Sequence, residues 1–230
     1  EQVSEEFQIL GDASWGSWIA GAYYFRESGD DQGISSGSFA GCGAIAQNFA
    51  ITDLRNYSCY SNTWSTAENT STAIFGQASF NLPIENLSAT IGVRQNWDER
   101  TAVMKNRTAT TCRFTRDLDN NSATPETNPG LAGCELSLSE TFSEPTYNLS
   151  LEYRASDDVL FYIAHRHGYR SGGYGARANT QAGLARTFDP ETVDDIEIGA
   201  KADWHIGDSF LRTNLALYQA DYQDIQRLLS

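Results

Sequence analysis

The chain has 230 residues, 40% of them hydrophobic, and its 16 basic and 30 acidic side chains give a formal net charge of -14. An acidic surface repels nucleic-acid phosphate, so a DNA- or RNA-binding module is not expected. No apolar run approaches the roughly 20 residues of a membrane-spanning helix, and 11 Phe, 11 Tyr and 5 Trp are too many for a chain that never packs.

Apolar and polar residues alternate in several stretches, and this period of two predicts antiparallel β-strands. In chain order, we place eight strands at roughly 3–11, 16–27, 71–82, 86–98, 145–154, 158–168, 191–203 and 209–224. In the seventh strand, Glu197, Lys201 and Asp203 share one face, which we assign to a wet lumen, with the solvated face of a soluble sheet as the alternative. The alternating runs last about 9 to 12 residues, enough to cross a bilayer at a tilt, whereas strands of soluble sandwiches usually have about 5 or 6.

The links between the predicted strands alternate in length. Tight turns fall near 12–15, 83–85, 155–157 and 204–208, whereas the links near 28–70, 99–144 and 169–190 are long and rich in Gly, Ser, Thr and Asn. Short periplasmic turns and long external loops are typical of an outer-membrane β-barrel. Because the first strand enters a short turn and the eighth leaves one, we expect a slice of a larger barrel.

Aromatic residues lie near both ends of the predicted strands. Trp15, Trp18 and Trp204 flank tight turns, and Tyr23, Tyr24, Phe25 and Trp97 lie toward the opposite ends. Trp and Tyr favour the boundary between lipid and water, because one part of the ring system is apolar and another forms hydrogen bonds. Packing of the same rings in a protein core is the alternative explanation.

Four cysteines, Cys42, Cys59, Cys112 and Cys134, fall in the long links. None has the CxxC spacing of a zinc site, so disulfides in an oxidising compartment are expected, with free thiols as the alternative. Three connectivities are possible, and the local one, Cys42 with Cys59 and Cys112 with Cys134, would staple two loops.

The sequence predicts neither a metal site nor an enzyme. His165 and His167 lie on one strand face, but two ligands do not make a metal site. The adjacent carboxylates Asp157 and Asp158 point to opposite faces of a strand and form a poor acid–base pair.

Several strand segments occur together in a recognisable order. They are 18–25, 73–77, 87–94, 151–153, 162–173 with Gly168-Tyr169-Arg170-Ser171-Gly172-Gly173, 188–193, 197–201 with Glu197-Ile198-Gly199-Ala200-Lys201, and 221–226. This ordered set resembles the middle of the β-barrel of TonB-dependent outer-membrane receptors of the siderophore-receptor type. On this resemblance, residues 1–230 are a partial barrel domain, without the N-terminal plug and the C-terminal strands.

The resemblance implies an antiparallel barrel of about 22 strands in the outer membrane of a Gram-negative bacterium, surrounded by lipid and lipopolysaccharide. It further implies that the parent protein imports a scarce small-molecule ligand, most often a ferric siderophore. The energy would come from the TonB complex through the plug. A ferric chelate would be the cargo, and no covalently bound cofactor is expected.

The link after the sixth predicted strand holds the candidate ligand-binding residues. They are Tyr169, Arg170, Tyr174, Arg177 and Arg186, with no acidic residue up to Arg186. Arginine and tyrosine bind an anionic chelate by charge-assisted hydrogen bonds and ring stacking. The alternatives are that these arginines pair with lipopolysaccharide phosphates or that they only keep the loop solvated. For the whole chain, the alternative is a secreted, soluble, all-β adhesion or lectin-like binding domain.

Overall fold

The computed structural model describes residues 1–36, 60–107, 112, 134–174 and 186–227, and the regular structure in these residues is entirely β. The strands are β1 (Gln2–Ala13), β2 (Gly16–Ser36), β3 (Tyr60–Asn81), β4 (Leu87–Arg107), β5 (Leu136–Ser156), β6 (Val159–Arg170), β7 (Gly173–Tyr174), β8 (Thr187–Phe188), β9 (Glu191–Ile206) and β10 (Ser209–Gln223). No helix in the described part of the chain is a candidate for a membrane span.

Eight strands form one antiparallel sheet in the order β1-β2-β3-β4-β5-β6-β9-β10, and β7 pairs with β8 in a separate hairpin. The sheet does not close on itself, so β1 and β10 each have a neighbour on one side only. All eight predicted strands are confirmed. The four short turns are confirmed as well, and in the last of them Gly207 takes a φ of 61°, a backbone conformation that glycine adopts without a steric penalty.

Four strands are much longer than predicted. β2, β4 and β5 have 21 residues and β3 has 22, so the prediction that 28–70 and 99–144 are wholly loop is wrong. In β5, Leu136 and Leu138 alternate with Ser137 and Ser139, so the apolar pattern extends beyond the predicted strand. The outer halves of β2 and β3, which lie away from the short turns, are largely polar on both faces and lack the alternation that reveals a strand. Cross-strand pairs stabilise them instead, such as Arg26 with Glu68 at 2.7 Å and Asn69 with Glu27 at 2.7 Å.

The sheet has one apolar face, which carries large side chains that are 41–67% exposed. The register places these side chains beside one another: Ile198 of β9, for example, pairs with Ile163 and Leu217 of the two neighbouring strands. The apolar face consists of Phe7, Ile9, Ile74, Ile91, Val93, Leu149, Leu151, Phe161, Ile163, Ile196, Ile198, Leu215 and Leu217. An exposed apolar surface this extensive marks a contact with lipid or with other protein.

The predicted aromatic boundary is only partly right. Four of the aromatic side chains belong to the apolar face and are 37–49% exposed: Trp18, Trp204, Tyr24 and Trp97. Tyr23 belongs instead to the polar face, where its ring lies 5.0 Å from the guanidinium carbon of Arg94. Neighbouring residues of a strand point to opposite faces, so only one of Tyr23 and Tyr24 can belong to the apolar face.

The main cluster of buried apolar residues lies at the outer end of the polar face. Ala102 and Met104 of β4 pack with Cys112 and Cys134, and Tyr174 lies against them together with Leu136 and Leu138. Cys112 and Cys134 form a disulfide, which agrees with the local pairing. Cys42 and Cys59 lie outside the described residues. The small core therefore anchors the ends of the long strands rather than filling a space between two layers.

Candidate ligand-binding cavity

The polar face of the outer half of the sheet borders an open cavity of about 1090 Å³. That volume is at the upper end of the range of small-molecule sites in proteins. Strands β3 to β6 and β9 supply the wall. Its main polar residues are Asn69, Gln77, Arg94, Asn96, Asp98, Arg100, Asn148, Arg166, Tyr169, Arg170 and Asp195.

Strand β4 contributes the longest run of polar side chains. Arg94, Asn96, Asp98 and Arg100 lie at alternate positions and therefore on the same face. Asn96 and Asp98 are only 8% and 7% exposed, and buried polar groups require partners. Asn96 accepts a 2.7 Å hydrogen bond from Nε of Arg94 and donates one of 3.2 Å to the carbonyl of Glu144. These bonds fix the polar side chains in place.

The cavity wall carries an excess of positive charge. Four arginines and two aspartates line it, although the whole chain has a net charge of -14. A concave surface whose charge is opposite to that of the rest of the protein concentrates ligands of the other sign. The wall is therefore suited to an anion.

Two of the arginines are already paired with carboxylates. Arg166 contacts Asp195 at 2.5 Å and Glu197 at 2.8 Å. Arg100 lies 3.7 Å from Asp98 and donates from Nε to Oγ of Ser171 at 3.1 Å. These two arginines contribute little net positive charge to the cavity.

An inward segment, formed by residues 171–174 and 187–189, makes the outer rim of the cavity. After β6 the chain crosses the polar face toward β4, where Ser171 is held by Arg100, and Gln226 donates to the carbonyls of Ser171 and Asp189 at 3.0 and 3.1 Å. Gly172 permits this path, since a Cβ there would lie 2.5 Å from the ring of Phe142. The prediction that residues 169–190 form a link without regular structure is wrong, because β7 and β8 pair with each other within that range.

Three of the five predicted ligand-binding residues line the cavity: Tyr169, Arg170 and Tyr174. Arg186 is exposed and lies outside the cavity lining, and Arg177 lies outside the described residues. The sequence prediction missed the residues of β4. A usable signal was present, because Arg94, Asn96 and Asp98 are polar members of the alternating run 86–98.

Tyr169 is a hydrogen-bond donor at the outer end of the cavity. In β6 the last large side chain of the apolar face is Ile163, so Tyr169 lies beyond the apolar part of the strand. Its hydroxyl is buried and has no hydrogen-bond partner of good geometry among the described residues. Burial raises the pKa of Tyr169, and the negative charge of Asp98 raises it further, so the phenol keeps its proton. Burial likewise raises the pKa of Tyr174.

The two histidines of β6 have different partners: His167 pairs with carboxylates, and the ring of His165 packs edge-on against that of Tyr147 at 5.5 Å. Nδ1 of His167 lies 2.8 Å from Asp194 and its Nε2 lies 3.8 Å from Glu144, while its ring stacks on Tyr147 at 5.4 Å. Within the described ranges, no group of three or more His, Cys, Asp and Glu side chains is arranged to hold a metal ion.

Comparison with known proteins gives concordant results. The family model described as "TonB dependent receptor-like, beta-barrel" matches residues 2–230. The fold is similar to the ferric yersiniabactin uptake receptor FyuA from Yersinia pestis, with a TM-score of 0.64 and 16% identity over 98% of this chain and 29% of that one. It is also similar to the siderophore receptor PiuA from Acinetobacter baumannii, with a TM-score of 0.53 and 16% identity over 94% of this chain and 31% of that one. The chain thus spans about a third of the length of these two receptors.

Proposed function

The chain belongs to the TonB-dependent receptor β-barrel family, and we propose that it forms the central part of an outer-membrane receptor that imports an anionic ferric siderophore. In this proposal the apolar face contacts outer-membrane lipid and lipopolysaccharide in a Gram-negative bacterium. The cavity on the polar face receives the ligand from outside the cell. The rest of the parent protein supplies the contact with TonB.

The excess of arginine in the cavity is the observation that carries the ligand class. Ferric chelates expose oxygen atoms, often with negative charge, and charge-assisted hydrogen bonds to arginine recognise such groups strongly. The protonated phenol of Tyr169 adds a neutral donor at the outer end of the same cavity. The two similar solved structures are a ferric yersiniabactin uptake receptor and a siderophore receptor, which supports a ferric siderophore as the ligand but does not bear on its charge.

A secreted soluble β-domain is disfavoured by the exposure of the apolar face. In a soluble sandwich, the apolar faces of two sheets pack against each other about 10 Å apart. Here Leu215 and Leu217 are 66% and 67% exposed, and Ile198 is 57% exposed.

Uptake by the complete parent receptor tests the proposal. The receptor is expressed in a Gram-negative host that lacks its own siderophore receptors, in matched strains with and without TonB. Accumulation of radioactive iron is measured for two anionic chelates, ferric enterobactin and ferric citrate, and for uncharged ferrichrome. We expect TonB-dependent accumulation of an anionic chelate. TonB-dependent uptake of none of the three, or of ferrichrome alone, would contradict the proposal.

A further inference from the structure

Arg94 differs from the other arginines of the cavity in its surroundings. Arg166 and Arg100 have carboxylates nearby, as described above, and Arg170 lies at the exposed outer end of β6. Among the residues that the structure describes, no carboxylate lies within ion-pair distance of Arg94. Its charge on the cavity wall is therefore not compensated by the described part of the chain.

The guanidinium of Arg94 is nevertheless held in a defined position. Its carbon lies 5.0 Å from the centre of the Tyr23 ring and 5.7 Å from that of Phe75. Cation–π contacts of this kind favour a fixed orientation of the planar group. Strand β2 makes room for this arrangement at Gly21, where a Cβ would lie 2.5 Å from the Phe75 ring.

One nitrogen of Arg94 is used within the wall, and the others are available. Nε donates to Asn96, which is itself fixed by its bond to the Glu144 carbonyl. The two terminal nitrogens have no acceptor among the described residues. An arginine whose orientation is set in advance loses less conformational entropy when it binds, so its forked donors are matched to a planar pair of anionic oxygens.

We propose that Arg94, supported by Tyr23, Phe75 and Asn96, is the anion-recognition subsite of the cavity and that it binds a carboxylate or similar planar oxyanion of the ligand. This inference rests on the proposed uptake function and names the residue that selects the ligand's charge. The three supporting side chains position the guanidinium and need not contact the ligand themselves.

Equilibrium binding to the purified parent receptor in detergent tests the subsite. Quenching of tryptophan fluorescence gives the Kd for ferric enterobactin, ferric citrate and ferrichrome. For the anionic chelate that the wild type binds best, we expect Arg94→Met to weaken binding about 10- to 100-fold, the usual range for a lost hydrogen bond to a charged group. Arg94→Lys should weaken it less, because it keeps the charge but loses the fork. Arg26→Met, which removes an arginine paired with Glu68 outside the cavity, is the matched control and should leave the Kd unchanged.

The possible outcomes separate this inference from the proposed function. If Arg94→Met takes up and binds the anionic chelate as the wild type does, Arg94 is not the subsite, although the uptake function stands. If the variant keeps its Kd but has a lower Tm than the Arg26→Met control, the anion partner of Arg94 is a carboxylate of the parent protein itself, and the inference is overturned. Failure of the wild type in the TonB-dependent uptake assay would overturn the proposed function and, with it, the inference.

Discussion

The orientation of the sheet is tested by placing an arginine on each face at the same depth. Leu151 of β5 belongs to the apolar face, where its side chain is 44% exposed. Its cross-strand neighbours are Ala89 and Ile163, which offer no hydrogen-bond acceptor on their side chains. The adjacent residue Ser150 belongs to the polar face and pairs with Thr90 and Ala164.

The expected loss for Leu151→Arg follows from the position of the residue along β5. Leu151 is five residues from Ser156, the last residue of the strand, which is about 17 Å of extended chain and about 13 Å of depth at a usual strand tilt. An arginine side chain reaches only about 7 Å and cannot bring its charge fully into water there. A charge at such a depth destabilises a transmembrane barrel by about 2–4 kcal/mol, a change of about thirtyfold to several hundredfold in the ratio of folded to unfolded protein.

The assay uses the parent receptor refolded into phosphatidylcholine vesicles. The folded fraction is read from the heat-modifiable electrophoretic mobility along a urea series. Ser150→Arg should stay within about 1 kcal/mol of the wild type, because a charge on the polar face remains in contact with water or polar groups. Equal losses for the two variants, or a larger loss for Ser150→Arg, would show that the apolar face is not the lipid-facing one.

Three further predictions concern the outer end of the cavity. Gly172→Val should displace the inward segment and accelerate its limited proteolysis, since the new side chain overlaps the Phe142 ring. Gly29→Val is the control and should not change the rate, because a Cβ at Gly29 meets no atom within 4 Å. Equal rates of proteolysis for the two variants would contradict the packing of Gly172 against Phe142. Replacing Cys112 and Cys134 by serine removes a disulfide between residues 22 apart in sequence and should lower the free energy of unfolding by up to about 3 kcal/mol. Amide hydrogen exchange should become faster at 171–174 and stay unchanged in the strands of the apolar face. An equal increase in both regions would contradict a disulfide that anchors only the outer end. Tyr169→Phe should make the free energy of unfolding less sensitive to alkaline pH. The pKa of Tyr169 is raised in the folded state, so its contribution to stability is complete below about pH 10 and is lost as the pH rises through the folded-state pKa. An unchanged alkaline profile would contradict the raised pKa of Tyr169.

The turn-proximal half of each strand was predictable from sequence because a single physical requirement acts on it. Every second residue faces an apolar environment, so the alternation of Leu149 and Leu151 with Ser150 reveals both the strand and its orientation. The outer halves of β2 and β3 have no such requirement. Arg26 and Asn69 stabilise their strands through partners more than 40 residues away, and periodicity within one strand does not reveal such pairs.

The inward segment was unpredictable for a related reason. Tyr174 was identified as a ligand-binding candidate from the composition of its link, and the structure places it at the cavity. Its packing against Met104 and the Cys112–Cys134 disulfide depends, however, on contacts between distant parts of the chain. The bond from Arg100 to Ser171 joins residues 71 apart. The sequence thus indicated which residue types are available in this region, but not the path that brings them over the cavity.

The charge of the cavity wall depends on register more than on composition. Arg166 and Arg94 both lie on the polar face of the sheet, and sequence alone gives no reason to distinguish them. In the paired strands, however, Arg166 stands opposite Asp195, whereas Arg94 stands opposite Phe75 on one side and Thr146 on the other. A shift of register by two residues would keep the same faces and the same composition but would change these partners. Arg166 is thereby neutralised as part of the wall, and Arg94 retains a positive charge that is supported by aromatic rings and available to an anion.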